Sequence, residues 1–103
     1  MSLRQNEYSP EEEFLEALES KREIEFTYKG DYYRLEPFYD GEDSLDEKIE
    51  EGYNIWKYEN GFKDGGGVVI ASIDTPEKVL STNCFDGRNI LDIYNETSDQ
   101  FIL

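Results

Sequence analysis

The residue types able to do chemistry are unevenly represented in this 103-residue chain, which has 25 Asp and Glu, eight Tyr, one Cys, one Trp and no His. Without His there is no Ser-His-Asp or Cys-His nucleophile activation and no His-ligated zinc. Cys84 alone can neither close an internal disulfide nor build a structural zinc site, and it reads as a small buried apolar residue. Carboxylates by themselves suit hard cations such as calcium. The one crowded stretch, Asp40-Gly41-Glu42-Asp43-Ser44-Leu45-Asp46-Glu47, fails the EF-hand register because Leu45 falls where the sharp turn requires Gly. A carboxylate pair can act as acid and base in glycoside hydrolysis. Among 25 acids, however, some pair reaches a workable separation in any fold, so no residue is nominated as catalytic and no metal or cofactor is expected.

Gly65-Gly66-Gly67 raises the question of a phosphate-cradling loop. Such a loop runs into a helix N-terminus, and its P-loop form ends Gly-Lys-Ser/Thr. Here the glycines lead into Val68-Val69-Ile70, a β-branched run, and follow Asp64, which repels phosphate. Residues 60–66 therefore read as a mobile hairpin loop.

Charge says more. Lys and Arg number 10, giving a formal net charge of −15. Residues 1–51 hold 17 acids against 6 bases, and residues 52–103 hold 8 against 4. Phosphate binding depends on Lys and Arg displacing counterions, so neither direct nucleic-acid binding nor an anionic membrane is expected. The natural partner is a basic protein surface. No apolar stretch approaches the roughly 20 residues that span a bilayer, the N-terminus carries no signal pattern, and a cytoplasmic location is expected.

The elements that must position these residues follow from caps and periodicity. Ser9-Pro10-Glu11-Glu12 is a capping box with Pro at N1, and Phe14, Ala17 and Leu18 recur at helical spacing. The spacing predicts a helix from Pro10 to about Lys21, with Lys21 and Arg22 placed in its last turn to complement the macrodipole. From Glu23 the period becomes two. Ile24, Phe26 and Tyr28 alternate with Glu25, Thr27 and Lys29, and Gly30-Asp31 offers a two-residue turn. Closed there, the hairpin sets Tyr28 opposite Tyr33, Phe26 opposite Leu35 and Glu25 opposite Glu36. Residues 40–51 contain seven acids and one Lys. Ser44-Leu45-Asp46-Glu47 repeats the capping-box pattern, Leu45 and Ile49 are i,i+4 neighbours, and Gly52 stands where a C-terminal glycine belongs, so a short helix is expected rather than a solvated loop. Residues 53–59 read as an internal strand, apolar on both faces. After the strand at Val68, a helix starts at Pro76 with Val79 and Leu80 inward, and another after Asp86-Gly87 with Ile90, Ile93 and Tyr94 on one face. Phe101-Ile102-Leu103 reads as a short edge strand or a tail over the core.

This order predicts a single α+β domain: an antiparallel sheet of about four strands built from two hairpins, with an N-terminal helix and two C-terminal helices mainly on one face. Tyr28, Tyr33 and Tyr53 are expected in the core. On the other parity Tyr32, Trp56 and Tyr58 either pack under a helix or form an exposed aromatic patch. The function expected is a small non-enzymatic binding protein that engages a basic protein surface, as an inhibitor, immunity protein or nucleic-acid mimic does. The residues expected to carry it are Glu12, Glu13, Glu16 and Glu19 on the first helix, Asp43, Asp46, Glu47, Glu50 and Glu51 in the acidic segment, and Trp56 and Tyr58. The alternative is an accessory or homo-oligomeric domain whose acidity serves solubility; a carboxylate-dependent enzyme ranks last.

Overall fold

The computed structural model describes residues 9–61 and 66–103. Helix α1 (Pro10–Glu19) begins as its cap dictates: Ser9 Oγ accepts from the Glu12 amide at 3.2 Å, and Ser9 N donates to Glu12 Oε1 at 3.0 Å. It ends in a Schellman turn in which Lys21 takes the left-handed conformation (φ 62°), Lys21 N donates to Leu18 O and Arg22 N to Ala17 O. Lys21 and Arg22 thus lie just beyond the helix and not in its last turn.

Strands β1 (Ile24–Tyr28), β2 (Asp31–Phe38), β3 (Gly52–Tyr58), β4 (Val68–Ile73) and β5 (Ser98–Ile102) form one antiparallel sheet in the order β4-β3-β2-β1-β5. Between β4 and β5 the chain forms α2 (Pro76–Ser81), α3 (Ile90–Ile93) and a 3-10 turn (Tyr94–Glu96). The α+β architecture is the expected one, with a fifth strand. Of the two readings of the C-terminus the strand holds, and it begins earlier, at Ser98. It returns across the helices to pair with β1, with a bulge at which Asp99 takes φ 51°.

One side of the sheet carries the core. Ile24, Phe26 and Tyr28 of β1, Tyr33 and Leu35 of β2, and Tyr53 and Ile55 of β3 meet Phe14 and Leu18 of α1, Val79 and Leu80 of α2, Phe85, and Ile90 and Ile93 of α3. Phe85 stacks edge-on against Tyr33 and tilted against Phe26, with ring centroids 5.0 and 5.6 Å apart. Tyr53 satisfies its buried hydroxyl by donating to Leu18 O at 2.7 Å, which ties α1 to the sheet. The Cα radius of gyration, 13.5 Å, is close to the roughly 13 Å of a compact 100-residue domain.

Two expectations fail. The first hairpin turns on Lys29-Gly30 rather than Gly30-Asp31, so Tyr28 faces Asp31, Phe26 faces Tyr33 and Ile24 faces Leu35. Both turn residues have positive φ (53° and 84°), the primed turn whose twist matches the strands. The two-residue shift keeps the inward parity and replaces the like-charged Glu25/Glu36 pair by Glu25 beside Arg34. It also frees Asp31 to accept from Asn60 N and to pair with Lys57.

Residues 40–51, the second failure, form a loop and no helix. Ser44 Oγ accepts from Asp46 N instead of capping a helix, and Asp46 Oδ1 accepts from Lys48 N, local bonds that compete with helix formation. The stretch has too little apolar surface to draw a helix onto the core, and Leu45 remains exposed. Gly52 is the first residue of β3, not a helix terminator. A Cβ there would collide with the Ile73 carbonyl of β4. The expected loop over residues 60–66 lies partly outside the described residues, at 62–65.

Candidate functional site

A sheet sandwiched on one side only leaves its second face to other uses. Strand pairing carries one row of side chains across all five strands of that face: Phe101 beside Glu25, Glu25 beside Arg34, Arg34 beside Trp56, and Trp56 beside Val69. In the next row Thr27 stands beside Tyr32 and Tyr32 beside Tyr58. The helices pack on the opposite side, so Tyr32, Trp56 and Tyr58 lie under none of them. They form an aromatic patch of graded exposure, half-open at Tyr32 and Trp56 and buried at Tyr58.

Arg34 organises the patch. Its guanidinium carbon stands 6.0 Å from the Trp56 ring centroid and 5.5 Å from that of Tyr58, and Nη2 donates to the Tyr58 hydroxyl at 2.8 Å. These are cation–π distances, and the planar guanidinium suits them. Tyr58 also touches Tyr32, with centroids 5.5 Å apart, and its ring lies over Gly67, where any Cβ would stand 2.5 Å from ring carbons. Gly67 is therefore needed for close approach.

Carboxylates gather around this cation. Glu36 Oε2 is 3.6 Å from Arg34 Nε, near enough for an ion pair. Arg34 Nε and Trp56 Nε1 are both shut off from solvent without a hydrogen-bond partner. Glu36 is the carboxylate that faces both, pairing with Arg34 and interacting with the Trp56 N–H. Burial pushes the Glu36 pKa up, Arg34 and the Trp56 N–H pull it down, and Glu23 and Asp43 add to the rise. The Tyr32 hydroxyl is raised by burial first and then by its hydrogen bond to Glu25. Thus Glu23, Glu25, Glu36 and Asp43 act on a neighbourhood in which Arg34 is the central cation.

The acidic loop is fixed to one end of the same face. Asn54, only 1% exposed, donates through Nδ2 to Glu42 O at 3.0 Å and accepts at Oδ1 from Ser72 Oγ at 2.6 Å. Ser72 Oγ in turn accepts from Leu45 N at 2.9 Å. Gly41 N donates to Glu50 O at 2.8 Å and closes the base of the loop. Asp43, Asp46, Glu47, Glu50 and Glu51 are all exposed on it.

The acids expected on α1 also sit outside the core, with Glu12, Glu16 and Glu19 exposed and Glu13 half-buried. Their helix packs on one face of the sheet, and Asn54 and Ser72 hold the loop backbone from the other. The loop nevertheless reaches the edge of the helical layer, where Asp46 and Ile49 line a groove with Lys78, Ser81 and Thr82. Sequence reasoning missed Arg34 and Phe101. The period-two pattern could not reveal the ring pair that Arg34 bridges.

Elsewhere the chemistry is quiet. Burial pushes the Cys84 thiol up to about 11, which keeps it protonated at neutral pH. Among the described residues no three Cys, Asp or Glu converge to hold a metal ion, and no helix is long and apolar enough to cross a membrane. Compared with protein-family models, curated proteins and solved structures, the chain matches none.

Proposed function

We propose that this protein is a non-enzymatic binding protein that presents a fixed acidic loop to a basic protein surface. One observation carries the reading. The loop has no regular secondary structure, yet Asn54 and Ser72 clamp its backbone at Glu42 and Leu45. Seven exposed carboxylates, the five named above with Asp40 and Glu42, are thereby held on an ordered support, with Lys48 the one base among them. A pre-formed charged surface raises association rates and loses less entropy on binding than a free acidic tail. The same acids on a disordered segment would serve solubility equally well, and the clamp would have no purpose.

The test joins salt dependence to position. A partner recovered from a lysate of the source cell at low salt should be reduced at high salt. Glu47, Glu50 and Glu51 changed together to Gln should weaken recovery more than Asp92, Glu96 and Asp99 changed to their amides. Equal effects from the two triples would reduce the loop to a contribution of net charge and overturn the reading.

A further inference from the structure

The uncovered face beside the loop is built from residue types that dominate binding energy at interfaces, namely Trp, Tyr and Arg. Its own cation is already engaged: Arg34 reaches the Tyr58 hydroxyl, two rings and Glu36. What remains around it is negative. Glu25 stands beside Arg34 on one side and Phe101 of β5 on the other, and the Tyr32 hydroxyl, diagonal to it, bonds it. Phe101 is 58% exposed although it sits on a strand. A carboxylate flanked by two aromatic side chains offers a cation both a counter-charge and ring faces, and Arg suits that combination better than Lys because its guanidinium is weakly hydrated and planar. The chain itself already stacks its Arg34 on the neighbouring Trp56 and Tyr58 in this manner.

We infer that the face running from Phe101 through Glu25, Arg34 and Trp56 to Val69 is a docking surface for an arginine-bearing segment of a basic protein. One partner arginine sits against Tyr32 and Phe101 with its guanidinium on Glu25. This rests on the acidic-binder reading and adds to it the place and side-chain chemistry of contact. The acidic loop at the end of the same face then steers the segment, while the aromatic row holds it.

Nona-arginine and nona-lysine peptides are suitable probes, and Trp56, the only tryptophan, reports from inside the face. Each peptide would be titrated at low salt while Trp56 emission and heat are recorded. The inference expects nona-arginine to bind more tightly than nona-lysine and to change Trp56 emission saturably. Glu25→Gln and Phe101→Ala should each weaken nona-arginine by about threefold to tenfold, with Asp92→Asn near wild type. Circular dichroism would check that each variant folds; should Phe101→Ala not fold, Glu25→Gln alone decides. If nona-arginine binds but neither variant weakens it, and only the Glu47/Glu50/Glu51 triple does, the docking face is overturned and the acidic loop survives. Binding of neither peptide would overturn both.

Discussion

Glu36 is a carboxylate whose ionisation the fold opposes. It shares a half-buried position with Arg34 and the Trp56 indole, burial raises its pKa above the ordinary 4.5, and Glu23 and Asp43 add to the rise. A raised folded-state pKa means that the native protein holds this proton more tightly than the unfolded chain. The stabilisation is complete below the unfolded value and declines as pH rises through the folded one. Glu36→Gln removes that dependence while keeping a polar group beside Arg34. The stability difference between wild type and Glu36→Gln, measured in urea across pH 4 to 7, should therefore move in favour of the variant as pH rises. A difference that stays constant over the range would mean that Glu36 titrates alike in both states. None of this was legible in the sequence: the neighbourhood of Glu36 depends on which residues of β2 and β3 face each other, and on where the acidic loop brings Asp43.

At the scale of elements, the hairpin and the loop show how far local pattern reaches. Alternation at Ile24, Phe26 and Tyr28 fixed which side of β1 is buried, but a two-residue slip preserves that side, so the pattern could not separate the two registers. The turn decided it, with Lys29 in the left-handed region. Asn adopts that region more readily than Lys, so Lys29→Asn should raise unfolding stability by about 0.5 to 1 kcal/mol. In a hairpin turning on Gly30-Asp31, residue 29 would be a strand position and the same change would destabilise. Chemical denaturation measures the sign directly. The Ser9 cap was legible for a different reason: it sits before a run with an apolar face, whereas Ser44 has the same local pattern and no such face to bury. Its segment is held instead by Asn54 and Ser72, residues of two other strands that no local pattern could have linked to it. Asn54→Ala should cost about 1 to 3 kcal/mol for the unsatisfied groups left behind. It should also speed hydrogen exchange at Leu45 N while leaving the β1/β2 amides protected. Uniform acceleration would show that the clasp supports the whole sheet rather than the loop.

For the molecule as a whole, the dominant fact is −15 on 103 residues. Like charges repel one another in the compact state, and added salt screens that repulsion over a Debye length of about 10 Å at 0.1 M. The melting temperature should rise between 0.01 M and 0.2 M sodium chloride. Exposed ion pairs such as Lys29 with Asp86 and Lys78 with Asp74 lose strength over the same range, but each contributes little. A melting temperature that falls with salt would mean that these pairs outweigh the net charge. The sheet with helices on one side was readable from the order and period of its elements. The course of the acidic loop was not, because it depends on which residues of β3 and β4 hold its backbone.

The clasp grips main chain. Glu42 offers its carbonyl and Leu45 its amide, so the side chains at positions 42, 45, 47, 50 and 51 take no part in these clasp bonds. Such a segment can be rewritten as an antibody loop is rewritten, with new side chains grafted onto an unchanged frame. A library randomised at those positions, with Asn54, Ser72, Ser44 and Asp46 kept, should yield folded members at high frequency and give one small scaffold many specificities.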